Sequence, residues 1–434
     1  MTNYDYLYKK EYYGESLYKN YEVKKELGYQ VIKNGVILPY RQTDQGPGGG
    51  VLDGKGRFIG STSLHDHCGC GYEYTKAERH VESTVIYLGM FHDIWGHCLT
   101  DNLRRLWFLS SSAYIEKFGR CKLVFVPMEQ FTFGESNRKL LEILGVCPDD
   151  LLPVTKITQY GTIILPDECF FTPDGDLRYF TSQYRDMIDR IRDYAVEHRK
   201  PTPYKKVYFS YRNYTHFKQF GEERLERYFG SKGYQVLYPE KMTFEEQLNV
   251  LINCDSFAST IGSCSHNILF LQDHTKVILI PRANYLTGYQ LTVDQVHELD
   301  ITYIDSTLSL FAARFPWEGP FYFFVTSRLM DYFKDGRKRD RRYWIENFKG
   351  FKWYAVHGLN YGRGASGKVY EYYSETAAAC LEQFCQANRW TRVKRVAMKA
   401  FIFGGRMVGK LKFLKFPKPM KAGRRKGTQA AMNR

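Results

Sequence analysis

KKVYFSYRNYTHFKQFGEERLERYFGSKGYQVLYPEKMTFEEQLNVLINCDSFASTIGSCSHNILFLQDHTKVILIP, residues 205–281, is the stretch that decides the fold. Four apolar runs, KKVYFSYR, YQVLYP, DSFAST and KVILIP, read as strands. Between them EERLERYFGSKG, FEEQLNVLINC and SHNILFLQ read as helices, the first closed by Gly233. Short apolar strands alternating with helices imply a parallel sheet covered on both faces. In open sheets of this kind a ligand sits outside the carboxyl ends of the strands.

The first half repeats the alternation more loosely. TVIYLG (84–89) precedes a helix, KLVFVP (122–127) is followed by NRKLLEILGV, and TIILP (162–166) leads to YRDMIDRIRDYAVEHRK. KPTPYKK, with two prolines in a basic run, marks a boundary near residue 200. The expected architecture is α/β: two Rossmann-like domains, 1–199 and 200–312, facing a cleft. An aromatic-rich extension of unread role follows over 313–387, then a helical basic tail over 388–434. GPGGG (46–50) is expected to be a flexible loop. It lacks the Lys-Ser/Thr of a phosphate-binding loop and a strand–helix frame.

The chain has 434 residues, enough for two cores and an extension. The amino-terminal segment MTNYDYLYKKEYYGESLYKN is charged and tyrosine-rich, with no apolar run of signal type. No apolar segment approaches the ~20 residues that span a bilayer. These features give the expectation of a cytoplasmic protein whose ten cysteines are reduced thiols. The last 47 residues hold 15 Lys and Arg and no Asp or Glu, which accounts for the whole net charge of +15. In that tail Trp390, Val393, Ala397, Ala400 and Phe401 share one helical face, and Arg392, Arg395, Lys399 and Arg406 the opposite one. A basic amphipathic helix of this kind suits an anionic membrane surface, each basic residue adding ~1 kcal/mol there. A solvated tail that binds RNA without specificity is the alternative.

Several clusters could carry chemistry. HDHCGC (65–70) has the letters of a metal site, but His65, His67, Cys68 and Cys70 are too tightly spaced for one zinc, so a loop of reduced cysteines is expected. In STIGSCSHNILF (259–270), Gly262 allows close backbone approach, and Ser259, Thr260, Ser263 and Ser265 offer hydroxyls. A helix start there would favour an anion such as a diphosphate; a serine-rich helix cap is the plain alternative. Arg212 stands at the carboxyl end of the strand in YFSYR, as a phosphate partner or an ordinary surface residue. Glu246 and Gln247 could meet a ribose, or could simply fill a helix's first turn.

FHDIWGHCLTDNLRRLWFL (91–109) holds His92, Asp93, His97 and Asp101. His97 and Asp101 are four apart and share a helix face, whereas His92 should point elsewhere. The pair could be a base with its partner, a helix cap with a packed histidine, or part of a metal site that lacks further ligands.

Taken in order, these pieces resemble glycosyltransferase family 61. That family shows an H-x-x-x-D helix, here His97-Cys98-Leu99-Thr100-Asp101, continued by Leu103, Arg105 and Leu106. Its strand ending in Ser-Arg is matched by Ser210 and Arg212, with Tyr211 inserted. Gly221-Glu222 stands where the family has Asn-Glu, and Glu246-Gln247 matches directly. Gly262, Asn267 and Phe270 match the final turn and helix; Ile261 replaces the family's histidine, Thr260 lies just ahead, and His266 is an extra imidazole. The resemblance spans about residues 80–285.

It implies a GT-B fold and inverting transfer of a sugar from a nucleotide donor, often a UDP-sugar, to a hydroxyl of a surface polysaccharide. His97 and Asp101 would then be catalytic. Ser210, Arg212, Glu246, Gln247, Thr260, Gly262, Ser263, Ser265, His266 and Asn267 would bind the donor. No metal or other cofactor is expected, since a positive site can stabilise the leaving diphosphate. The partners would be a nucleotide-sugar, a saccharide acceptor that is lipid-linked, and an anionic membrane met by the tail, with no specific nucleic acid. A non-catalytic scaffold of the same fold, or a nucleic-acid binder acting through its tail, are the competing readings.

Overall fold

The computed structural model describes residues 2–7, 14–44, 46–63, 71–128, 131–173, 177–213, 219–282, 286–308, 321–335 and 396. HDHCGC, the basic tail apart from Val396, and most of the 313–387 extension lie outside the described residues.

The chain builds two main sheets. Its first strand, β1 (Asn3–Tyr6), is part of the second of them. The first sheet comprises β2 (Tyr29–Lys33), β3 (Val36–Thr43), β4 (Gly46–Leu52), β5 (Arg79–Phe91), β6 (Lys122–Pro127), β7 (Leu151–Pro153) and β8 (Thr158–Pro166). Its order is β4-β3-β8-β5-β6-β7, with β2 also paired to β8. The β8-β5-β6-β7 half is parallel and β2, β3 and β4 pair antiparallel. β5 is central and runs into α1 (Trp95–Thr100). α2 (Glu135–Ile143) follows β6, and α3 (Ser182–Glu197) follows the small hairpin of β9 (Phe170–Phe171) and β10 (Tyr179–Phe180).

GPGGG is not a loop but the start of β4, paired with β3 at the edge of the sheet. An edge strand tolerates Pro47 because the missing N–H need not join a ladder. A Cβ on Gly49 would come within 2.3 Å of Met90 Cε, and one on Gly50 within 2.7 Å of Thr62 Oγ1. These glycines serve close packing rather than mobility.

The second sheet is wholly parallel: β11 (Lys206–Phe209), β13 (Gln235–Leu237), β14 (Ser256–Thr260), β15 (Lys276–Ile280) and β16 (Asp300–Ile304), with β1 at its edge. The order is β1-β16-β15-β14-β11-β13. β11 comes first of the five in the chain yet lies between β13 and β14, so the direction of winding reverses there. Such a switch point opens a crevice at the carboxyl ends of the two strands. All five residues of β14 and the last four of β15 are buried, as strands covered on both faces require. α4 (Glu222–Ser231), α5 (Phe244–Asn253) and α6 (Gly288–Val293) are among the covering helices. Smaller pieces, β12 (Gln219–Phe220), β17 (Thr307–Leu308), β18 (Phe321–Phe323) and α7 (Ser327–Tyr332), complete the described fold.

The helix expected at SHNILFLQ is a short 3₁₀ segment, Ser265–Phe270. All six of its residues are buried, in contact with α3, α5 and α6. With no solvent face, the tighter winding takes the chain across in little space.

Candidate functional site

His97 lies in the middle of α1, which begins where the parallel strand β5 ends. Asp101 caps the carboxyl end of the same helix. The two side chains meet, His97 Nδ1 standing 2.5 Å from Asp101 Oδ2. Asp101 is buried, whereas about a fifth of the His97 side chain remains accessible. Arg104 donates to the other carboxylate oxygen of Asp101 and also bonds Glu168, which Arg105 bonds in turn. Burial alone would push the Asp101 carboxyl up. Arg104 and then the His97 hydrogen bond more than reverse that, holding it well below the usual carboxylate range. Asp101 therefore stays ionised and is a poor proton acceptor. Its fixed charge holds the Nδ1–H of His97, which puts the imidazole lone pair on Nε2.

His92 does not point elsewhere. It sits in the turn before α1 rather than on the helix, and its ring stacks on His97 with centroids 4.5 Å apart and planes at 24°. Helical spacing was the wrong measure there because the helix starts at Trp95.

The turn after β14 comes to the same place from the second sheet. A Cβ on Gly96, the residue before His97, would lie 3.0 Å from Ser263 Oγ and 3.2 Å from His266 Nδ1. Trp95 Nε1 donates to Asn267 Oδ1 at 2.8 Å. Burial, then the neighbouring His97, pushes the His266 imidazole down to about 4, so it is neutral near pH 7. Ser265 is committed locally: its Oγ accepts from Gly262 N and donates to Gln290. Ser259 Oγ, Thr260 Oγ1 and Asn267 Nδ2 are buried with no hydrogen-bond partner among the described residues, a costly arrangement that calls for a reason.

At the end of β11, Ser210 donates to Glu226 at 2.8 Å, and Arg212 pairs with the other oxygen of Glu226 at 3.0 Å. The Arg212 side chain is half exposed beyond that pair. Glu222 accepts from Tyr211 N and Tyr208 OH; burial pushes its carboxyl up to about 7. Gly221 adopts φ 86°, and a Cβ there would lie 2.1 Å from the Phe323 carbonyl oxygen. The position therefore takes glycine in place of the asparagine expected from the resemblance. Tyr211 OH receives the Cys264 N–H at 3.0 Å, which ties this strand end to the turn.

Glu246 and Gln247 have other work. Glu246 closes a capping box with Thr243, and Gln247 Nε2 bonds the carbonyls of Pro239 and Met242. The first-turn alternative describes both side chains.

Two residues escaped the sequence reading. Arg282 follows β15 and packs its guanidinium where a Gly262 side chain would be, 4.5 Å from the Tyr211 ring centroid. Its signal was the same as that of Arg212, an arginine just past an apolar strand. Tyr289, on α6, donates to Asp101 Oδ1 at 3.2 Å and sets its ring edge-to-face with His97. No local pattern marks it. Among the described residues no group of three or more His, Cys, Asp and Glu side chains is placed to hold a metal ion.

A histidine–aspartate pair beyond the end of β5 thus stands beside the turn that follows β14 of the other sheet. Residues 95–278 match the family model described as glycosyltransferase 61. This stretch is a glycosyltransferase 61 domain, and the protein is a glycosyltransferase. No curated protein matches the chain. The matched span holds His97, Asp101 and the 260–267 turn but ends before Arg282 and Tyr289.

Proposed function

We propose that the protein is an inverting glycosyltransferase of GT-B organisation that moves a sugar from a nucleotide donor, a UDP-sugar, to a hydroxyl of a lipid-linked surface polysaccharide. The observation that carries this reading is the meeting of the His97–Asp101 pair with the 260–267 turn. The carboxyl ends of β5 and β14 thereby face one place, as two Rossmann-like units around a cleft would have them.

In this reading His97 Nε2 takes the proton from the acceptor hydroxyl. The acceptor oxygen attacks the anomeric carbon from the face opposite the diphosphate. The bond from that carbon to the phosphate oxygen breaks, and the nucleoside diphosphate leaves with its electron pair. Asp101 stabilises the imidazolium as it forms. Arg212 and Arg282 offer cationic forks to the departing diphosphate, and Thr260, Ser263 and the Gly262 backbone line its place. The turn is too short for a helix dipole to carry that load, so the arginines take the role first assigned to the helix start. No metal is required for the step.

The basic tail would hold the catalytic body at the inner face of an anionic membrane, beside a lipid-linked acceptor. Among the described residues no helix is long and apolar enough to cross a membrane.

Thermal unfolding with UDP, GDP, CMP and dTDP, each with and without EDTA, tests the donor site. A ligand at 100 times its Kd adds ~2.7 kcal/mol to stability, which raises Tm measurably. The expected result is a rise with UDP that persists in EDTA. A flat response to all four nucleotides would sink the donor site drawn here, and a rise abolished by EDTA would sink the metal-free step.

A further inference from the structure

We infer that Tyr289, reaching in from α6, is a positioning residue that sets the geometry of the His97–Asp101 pair. Its catalytic meaning rests on the base reading above. Three sides of the pair are accounted for by residues near it in the chain: His92 stacks on the imidazole, and Thr100 and Arg104 bond the Asp101 carboxylate. The fourth comes from α6, almost two hundred residues on. Tyr289 OH donates to Asp101 Oδ1 at 3.2 Å, and its ring meets His97 at 5.4 Å between centroids with planes at 86°. The imidazole is thus stacked on one ring and perpendicular to another.

Tyr289 is itself fixed. Its ring stacks with Phe170 at 6.1 Å and 13°, and the Arg178 guanidinium lies 4.4 Å over it. An aromatic ring with two ring neighbours and a cation on its face has little freedom to swing. The next residue, Gln290, accepts a hydrogen bond from Ser265, which holds Gly262 N. One short helix therefore reaches the base through Tyr289 and the turn through Gln290. A shift of α6 moves both together, which couples the seat of the diphosphate to the alignment of the base.

The test needs one measurement without substrate and one with it. In the full chain labelled with ¹⁵N-histidine, the ring-nitrogen signals of His97, assigned by their loss in His97→Gln, report which nitrogen carries the proton at alkaline pH. Wild type should show Nδ1–H, and Tyr289→Phe displaced ring-nitrogen signals, because the carboxylate that receives that proton loses one of its anchors. With the nucleotide-sugar of the base selected by thermal unfolding, Tyr289→Phe should lower kcat about tenfold and leave the donor KM within twofold. Asp101→Asn/Tyr289→Phe should be no worse than Asp101→Asn, since the tyrosine acts through that carboxylate. Unchanged ring signals in Tyr289→Phe, or a double variant slowed by the product of the single effects, would overturn the inference. His97→Gln keeping wild-type turnover would remove the base reading while the ring-nitrogen result stood, so the two failures separate.

Discussion

At the scale of single residues, the balance of forces on Asp101 decides its charge. A carboxyl stripped of water would ordinarily pick up a proton. Arg104 and His97 prevent this and leave an anion beside the imidazole, which in the proposed mechanism orients and charge-balances that neighbour. His97→Ala should therefore lower turnover by ~10²–10⁴-fold, the range of general-base catalysis, with the nucleotide-induced rise in Tm intact. Asp101→Asn should fall in the same range, because an amide offers the imidazole the wrong partner as readily as the right one. Steady-state rates beside thermal unfolding check both. Loss of the nucleotide response in His97→Ala would assign that histidine to binding instead.

At the scale of elements, α6 shows how a buried acid makes a helix pH-sensitive. Asp294, just past its end, accepts from Gln290 Nε2 at 2.9 Å and from Tyr303 OH at 2.5 Å. Burial pushes its carboxyl from the usual 3.8 up to about 7, with the Tyr303 and Gln290 hydrogen bonds pulling partly back. The folded protein then holds this proton more tightly than the unfolded chain. Stability from Asp294 is full below about pH 4 and is lost as pH rises toward 7. Glu222, raised to about 7 by burial, adds a loss of the same sign. Asp294→Asn should flatten the fall in Tm between pH 5 and pH 7.5, read by unfolding at both values; an undiminished fall would remove Asp294 as its source. The same scale explains two elements that patterning misread. GPGGG looks like a loop because its composition is that of one, yet the edge of a sheet and the close approach of Met90 and Thr62 make use of it. SHNILFLQ has the composition of an ordinary helix, but burial on every side winds it as 3₁₀.

At the scale of the whole molecule, the net charge is gathered at one end of the chain. The basic tail carries that charge beside a body whose charges balance, and the proposed function gives it the membrane contact. The full chain should sediment with vesicles of anionic lipid and not with zwitterionic ones, and raised salt should weaken the association. Deletion of 388–434 should abolish it; unchanged recovery of the truncated protein would place the contact elsewhere.

Much of the fold was legible because parallel strands buried on both faces must be apolar along their whole length. KLVFVP and KVILIP declared themselves for that reason, and the charged faces of α3 and α5 marked where helices lie between them. The His97–Asp101 pair was legible because four residues make one helical turn. What the sequence could not decide was everything set by contact between distant segments. It left open which member of the pair keeps the proton, because Arg104 and the surrounding burial set that jointly. It sent His92 away from His97, because helical spacing was applied to a residue that lies ahead of the helix. It passed over Arg282 and Tyr289, which acquire their places only when β15 and α6 close against β11, β14 and α1. Local periodicity reports which residues are buried; only the packed tertiary structure decides what they are buried against.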